Sequence, residues 1–417
     1  MKKSNSIFSR VKGLKTFTSF SIPAYRMYFL GMIGQWSAFS MEMVARTYLV
    51  YEITDSAAML GIISLSGAVP MLILSLFGGA VADRFPKKSL IQLSQIGMTV
   101  IFLAQAIAIN IGYLNKDNPE SWWVLLVAGI IMGTIMALAM PSRLAIIPEI
   151  VDRDRLMNAI SLNTMGMSFF QLAGPAIAGY VIAALGYASI FYVMAVLNAV
   201  AIIFTSFLPK MITGRVYRRN VLNDIFAGFK YIISHRIVLL ILVFFISSVV
   251  LAMPFQMLMP IFARDILQVG VEGQGTLMSM SGAGAIVASL AIASLPSRKR
   301  GVFLLISNIF MGVALVIFAF STSWPLSLVM MILVGIGRTG GNTLGNALLQ
   351  THTEPEYLGR VMSLLMLNFG LSGLGTFFAG ILAETISAPW AIGGLAMVLI
   401  GISFLAIILL GEFRKLD

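Results

Sequence analysis

Twelve apolar runs, each 20 residues or longer, follow one another along the chain at approximately 27–50, 57–82, 89–112, 122–142, 157–185, 188–208, 237–263, 275–295, 302–321, 325–349, 361–386 and 389–411. A helix needs about 20 mainly apolar residues to cross the hydrocarbon layer, whereas a barrel strand alternates over about 10. Continuous apolarity at these lengths predicts an all-α polytopic membrane protein with twelve transmembrane helices. At 59% hydrophobic and 11% charged residues, a water-soluble fold is excluded. The 417 residues accommodate one such bundle and little else. The run that begins near Met27 is too long for a signal-peptide core and predicts a retained first span.

One long polar stretch, 209–236, splits the runs into six plus six. The expected organisation is a basic tail over 1–26, a six-helix bundle over 27–208, a linker over 209–236, a second bundle over 237–411 and a short tail over 412–417. The linker carries Lys210, Arg215, Arg218, Arg219, Lys230 and Arg236. If the amino terminus is cytoplasmic, that side of the membrane receives 24 Lys and Arg and the opposite side only Lys116 and Arg264. Cytoplasmic loops hold the excess of Lys and Arg, so both termini are expected in the cytoplasm and the protein in the cell membrane. The net charge of +11 therefore reports topology, and no nucleic-acid partner is expected.

The halves resemble repeats of each other. ADRFPKKS precedes the third run and LPSRKRG the ninth, and AIIPEIVDRDRLMNAISL is echoed by ALLQTHTEPEYLGRVMSL. Two six-helix halves around a cavity is the arrangement that such repeats favour in transporters. Cysteine is absent, and the two histidines, His235 and His352, lie in polar connections, so no metal site is expected. No GxxxxGK[ST] phosphate loop occurs, which excludes an ATPase within the chain. The sequence offers no cluster of catalytic residues, so it is not expected to be an enzyme. No cofactor is expected, and a proton gradient is the expected energy source.

The segment GGAVADRFPKKS, Gly78 to Ser89, resembles the loop signature between the second and third helices of the major facilitator superfamily, with Gly79, Asp83, Arg84, Lys87 and Lys88 at the matching positions and Pro86 where a Gly is customary. The resemblance implies a cytoplasmic latch that breaks as access changes. Gly79 is expected to permit close helix contact, and Asp83 to pair with a cation or a helix amino terminus. Four further segments, Phe29–Ala57, Pro141–Asn163, Pro260–Ala285 and Leu348–Leu364, resemble the secretion-effector branch of this superfamily, which includes enterobactin exporters and macrolide efflux proteins. The branch implies export of a small molecule. QLAGPAIAG resembles half of a fifth-helix antiporter motif, with Gly174, Pro175 and Gly179 in place. It reads equally as a compliant helix between the halves or as an ordinary membrane proline kink.

A charge at membrane depth costs about 2.5–3.5 kcal/mol on insertion scales, so each needs a reason. Gln35, Phe39, Glu42 and Arg46 are spaced to share one stripe of the first helix. Glu42 and Arg46 can pair directly, either as a static ion pair or as a switch. Desolvation favours the neutral carboxyl and a neighbouring guanidinium favours the charged one, so cavity occupancy can set the protonation of Glu42. Arg338, in GIGRTGGNTLGN, is followed at steps of four by Asn342 and Asn346. The first, fourth, seventh and tenth helices line the cavity in this superfamily, so the resemblance points Glu42 and Arg338 inward; a purely structural role for Arg338 stays open. Gln256, between Pro254 and Pro260, is a weaker substrate candidate.

Met132, Met136 and Met140, like Met253, Met257 and Met259, suit varied apolar ligands or plain packing. Arg143 falls near the cytoplasmic end of the fourth run, and the mid-membrane Arg of many drug/proton antiporters is missing from it. Glu384 is read as solvated at the outer interface, and Trp122, Trp123, Trp324 and Trp390 as outer anchors. The expected function is proton-coupled antiport that exports a small amphiphilic molecule, a drug or siderophore, by alternating access. The alternative is a lysophospholipid or lipid-intermediate translocator of the same fold. The expected partners are the solute and membrane lipid, with the protein a monomer.

Overall fold

The computed structural model describes residues 15–209, 221–293, 299–365, 367–411 and 413–416. They are almost wholly helical. The first six long helices are α1 (Pro23–Thr54), α2 (Ala57–Arg84), α3 (Lys87–Asn110), α4 (Trp123–Ile150), α5 (Arg153–Leu185) and α6 (Tyr187–Ser206). After the linker residues 210–220, which lie outside the described chain and include Lys210, Arg215, Arg218 and Arg219, come α7 (Val221–Ser234), α8 (Arg236–Ala252), α9 (Phe255–Ile261) and α10 (Gly270–Ala293). The remainder is α11 (Arg300–Ala319), α12 (Trp324–His352), α13 (Pro355–Leu365), α14 (Asn368–Thr385) and α15 (Ala388–Leu409).

Local chemistry explains the boundaries. Pro23 opens α1 at a position where a missing N–H costs nothing. Asp55, left-handed at φ 48°, closes it by donating its N–H to the Tyr51 carbonyl (2.9 Å). The next residue, Ser56, accepts from the Met59 N–H (3.3 Å) and caps α2. A two-residue corner therefore joins two membrane-length helices. The seventh predicted span is broken: Pro254, which has no N–H to donate, separates α8 from α9, and a π-type turn over Phe262–Ile266 ends the span. The eleventh span is also split, into α13 and α14.

Ten stretches are long and apolar enough to cross a membrane, with α8, α9 and the π turn making up one of them. Helix α1, which carries Gln35, Glu42 and Arg46, and α14 complete twelve. Apolar side chains such as Leu93, Val100, Val196, Leu290 and Leu405 are more than half exposed and face outward, as lipid contact requires.

The chain forms two six-helix bundles, α1–α6 and α8–α15, joined along two seams: α2 against α14 and α5 against α10. Both described ends lie on one face, where Ser19 N–H donates to Asn158 Oδ1 at the start of α5 (3.0 Å) and Gly301 N–H donates to the Leu416 carbonyl (3.2 Å). The opposite end is the far face. Three apolar cores follow this geometry. One draws on both bundles, including Leu60, Ile63, Ala178, Leu277 and Ala379. The other two, around Tyr25 and Ile146 in the first bundle and around Phe245 and Leu348 in the second, each belong to one bundle.

Candidate functional site

Between Gly31 and Thr54, α1 is buried or half-buried at every residue except Phe39, which is 53% exposed. The predicted pair forms: Arg46 Nε lies 2.7 Å from Glu42 Oε1, and Glu42 is buried. The i,i+4 spacing makes this contact on the helix surface. Gly129 of α4 leaves room for it, since a Cβ there would meet Ser66 Oγ of α2 at 2.0 Å and Arg46 Nη1 at 3.5 Å. The ion pair therefore sits where α1, α2 and α4 converge.

Toward the terminal face on the same stripe, a pocket of about 20 Å³ opens beside Gln35 and Phe39. Met132 and Met136 of α4 and Asn198 of α6 line it, so part of the methionine stripe does face a cavity. Arg143 also lines it, contrary to the sequence expectation that placed this residue at a cytoplasmic helix end. Its side chain is buried, with Nη2 3.1 Å from Ser94 Oγ of α3 and Nη1 3.6 Å from Met136 Sδ. The physical reason is direction: helix side chains lean toward the amino terminus, and the amino terminus of α4 is at the far face. A residue whose Cα is near the terminal face thus delivers its charge to the interior.

In the second bundle, Arg338 is half-buried and forms no hydrogen bond or ion pair with any described residue. It shares a helical stripe of α12 with Asn342, which is exposed, and Asn346, whose Nδ2 donates to the Asn342 carbonyl (2.8 Å). Glycines on its other faces let neighbours approach; a Cβ on Gly337 would meet Met311 Cβ of α11 at 2.6 Å, and one on Gly345 would meet Phe245 of α8 at 2.5 Å. Gln256 of α9 is half-buried, while Met257 and Met259 are core residues. The first-bundle candidates are thus brought together, whereas Gln256, Arg338 and Asn342 form no described hydrogen bond with them.

The loop motif departs from its expected packing. Gly79 is exposed and a Cβ on it would meet nothing within 4 Å; its neighbour Gly78 makes the close approach, since a Cβ there would lie 2.3 Å from the Ala137 carbonyl oxygen. Arg84 is exposed, and the Asp83 side chain lies outside the described residues. Lys87 pairs with Glu149 at the end of α4, and Lys88 donates to the Ser206 and Leu208 carbonyls at the end of α6. A lysine on terminal carbonyls is a helix C-cap contact. In the α5 motif, Gly174 packs on Ser40 of α1, whereas a Cβ on Gly179 would lie 2.6 Å from the Val271 carbonyl of α10. Only the latter contact crosses between bundles.

The polar contacts across the seams lie in the far half, and sequence reasoning missed nearly all of them. Glu384 is not merely solvated: its Oε2 accepts from the N–H groups of Ala57 (2.7 Å) and Ala58 (3.1 Å) and from Ser56 Oγ (3.2 Å), so the second bundle's carboxylate caps the first bundle's α2. Arg264 Nη1 lies 3.0 Å from Asp55 Oδ1. Tyr51 donates its hydroxyl to Asp265. Deeper in, Gln274 Nε2 donates to Thr47 Oγ1 (2.8 Å) and the Ala176 N–H donates to Ser279 Oγ (3.0 Å). The available signal in the sequence was the placement of Asp55, Arg264, Asp265 and Glu384 at outer helix ends, which does not reveal who meets whom. Among the described residues no group of three or more His, Asp or Glu side chains is placed to hold a metal ion.

Twelve membrane-length helices in two bundles define a multi-pass membrane protein. The sequence profile of the Major Facilitator Superfamily matches residues 27–373 and 255–415, and the chain belongs to that superfamily. It is a secondary transporter and not an enzyme. The chain is 24% identical over 384 residues to the staphyloferrin A transporter of Staphylococcus aureus, a match covering 90% of this chain and 93% of that protein. It is 24% identical over 399 residues to the enterobactin exporter EntS of Salmonella typhimurium, with 94% of each covered. Among solved structures it resembles the nucleoside transporter NupG at TM-score 0.69 and 16% identity, covering 95% of this chain and 99% of that one, which shows the shared fold.

Proposed function

We propose that the protein exports a small amphiphilic, siderophore-like molecule across the cell membrane in exchange for protons, working as a monomer with both termini in the cytoplasm. The relatives named for siderophore transport span nearly all of both chains and support the substrate class. The uneven Lys and Arg distribution supports the orientation. The observation that carries the coupling is the buried Glu42–Arg46 pair, 2.7 Å apart, in α1. A proton arriving on Glu42 neutralises the carboxylate and releases Arg46; loss of that proton restores the pair. Gln35, Gln256, Arg338 and Asn342 contact the solute, Gly79, Asp83, Arg84, Lys87 and Lys88 form the cytoplasmic gate loop, and Gly174, Pro175 and Gly179 let α5 move against α10. Solute enters between the bundles from the cytoplasm, the bundles rock, and protonation of Glu42 resets the cycle.

Everted membrane vesicles loaded by a proton gradient test this reading. Uptake of a ferric-free siderophore is expected to fall at least tenfold when the gradient is collapsed and by a similar factor in Glu42→Gln. Solute–solute exchange, which needs no net proton movement, should persist in that variant. Export unchanged by both treatments removes the coupling.

A further inference from the structure

Helix α7, which carries the chain from the linker into the second bundle, is packed on one side only. At about 100° per residue, Gly228, Tyr231 and Ile232 share one side of it, and Phe226, Phe229, Lys230 and Ile233 share the other. The first side is firmly seated. A Cβ on Gly228 would lie 3.0 Å from Arg360 Cβ of α13. The Tyr231 ring stacks on Tyr357 of α13 with 4.3 Å between centroids and on His235 with 3.9 Å. Its hydroxyl accepts the Glu354 N–H (3.1 Å), and Tyr231 and Ile232 belong to the core of the second bundle. On the other side Phe226 is 72%, Phe229 57% and Ile233 58% exposed.

Two Phe rings and an Ile on one stripe make a contiguous apolar patch, and the seated side prevents the helix from rolling to hide it. Only His235 lies between the end of α7 at Ser234 and Arg236, where α8 opens a membrane span. The last turn of α7 therefore stands at the edge of the hydrocarbon layer. Phe and Ile on one side with Lys at the border is the pattern of a helix that lies in a membrane interface. The charge around the patch is positive. Lys230 is exposed and forms no ion pair with any described residue. The sequence over 210–220 holds Lys210, Arg215, Arg218 and Arg219 with no Asp or Glu.

We propose that the open side of α7 docks into the cytoplasmic leaflet of the membrane, with Phe226, Phe229 and Ile233 among the upper acyl chains and Lys230 on anionic head groups. The choice of leaflet rests on the orientation proposed above, which puts the terminal face in the cytoplasm, where anionic lipid is concentrated. The docking itself depends on neither the solute nor the coupling. Because α7 is stacked on α13 and also meets α2 of the first bundle, lipid that holds α7 acts at the terminal end of the α2–α14 seam.

The full-length chain in lipid nanodiscs tests this, since it has no native cysteine and takes a single bimane label at Phe229→Cys. Glu356→Cys, at an exposed residue of α13 on the same face, is the water-facing control. Lipids brominated high on the acyl chain are expected to quench the label at 229 about threefold more than the one at 356. Replacing part of the phosphatidylcholine by phosphatidylglycerol should deepen that quenching, and Lys230→Gln should remove roughly half of the gain. A label at Ile233→Cys should follow the one at 229, which separates docking from a local distortion at either site. Equal quenching at 229 and 356 overturns the docking, and quenching indifferent to phosphatidylglycerol overturns the anionic contact. A disulfide between Phe229→Cys and Phe85→Cys at the end of α2, formed at the expense of quenching, gives the face to the first bundle and overturns the docking as well.

Discussion

The two ends of the seams between the bundles are built on different principles. At the far end, helix meets helix with almost nothing between: a Cβ on Gly275 of α10 would lie 2.3 Å from the Pro175 carbonyl, and one on Gly380 of α14 would lie 2.7 Å from the Ala57 carbonyl. Charged groups at the rim, Glu384 on the start of α2 and Arg264 on Asp55, close it. At the terminal face Lys87 with Glu149 and Lys88 with the end of α6 stay inside the first bundle, the Glu354 N–H donates to the Tyr231 hydroxyl on the side of the second, and each bundle keeps its own apolar core there. One end is fastened across the seam and the other only within each half. The difference teaches that polar fastening between the bundles is concentrated at one end, while each bundle adds an apolar core of its own at the other.

The strongest way to break the comparison is to fill the far seam. Gly275→Leu places side-chain atoms where the α5 backbone lies, and overpacking of this kind costs about 1–3 kcal/mol or more. Transport is expected to drop more than tenfold, and a cysteine introduced at Thr47 should become reactive from the far side. The chain has no native cysteine to confuse that readout. Gly401→Leu, at a glycine of α15 with open space around it, should change neither.

A smaller effect is expected from Glu384→Gln. It exchanges a charge-assisted cap for a neutral one, and losing about 1–2 kcal/mol lowers the closed-to-open ratio at the far face by roughly five- to thirtyfold. Spin-label distances across that face measure the shift. Arg264→Ala removes an exposed pair worth at most about 1 kcal/mol, so the same distances should move less than fivefold in population. Salt should abolish even that change. A larger effect from Arg264 than from Glu384 would reverse the assignment of which contact fastens the rim.

What was legible in the sequence depended on range. The twelve spans follow from uninterrupted apolar runs, and the Glu42–Arg46 pair from a spacing of four on one helix, both properties of local chain geometry. Gly78 and Gly79 show how narrow the margin is: adjacent residues point about 100° apart on a helix, and the family pattern selects one while the Ala137 backbone of α4 meets the other. Arg143 was misread because its Cα position, near a helix end, differs from where a long side chain delivers its charge. Glu384 and Arg264 were placed on the correct face, but their partners lie 327 and 209 residues away in the chain, and no period or spacing encodes such contacts.

The far seam also has a kinetic consequence. Contacts between a glycine and a backbone carbonyl involve no rotamers, so at these points no side chain must find a new well when the surfaces part or meet. The barrier to separation then comes from dispersion, from the rim charges and from the few side-chain hydrogen bonds across the seam, such as Gln274 with Thr47, short-range terms that vanish over a short displacement. Such a joint has few teeth to mesh, which favours parting and reseating in the same register.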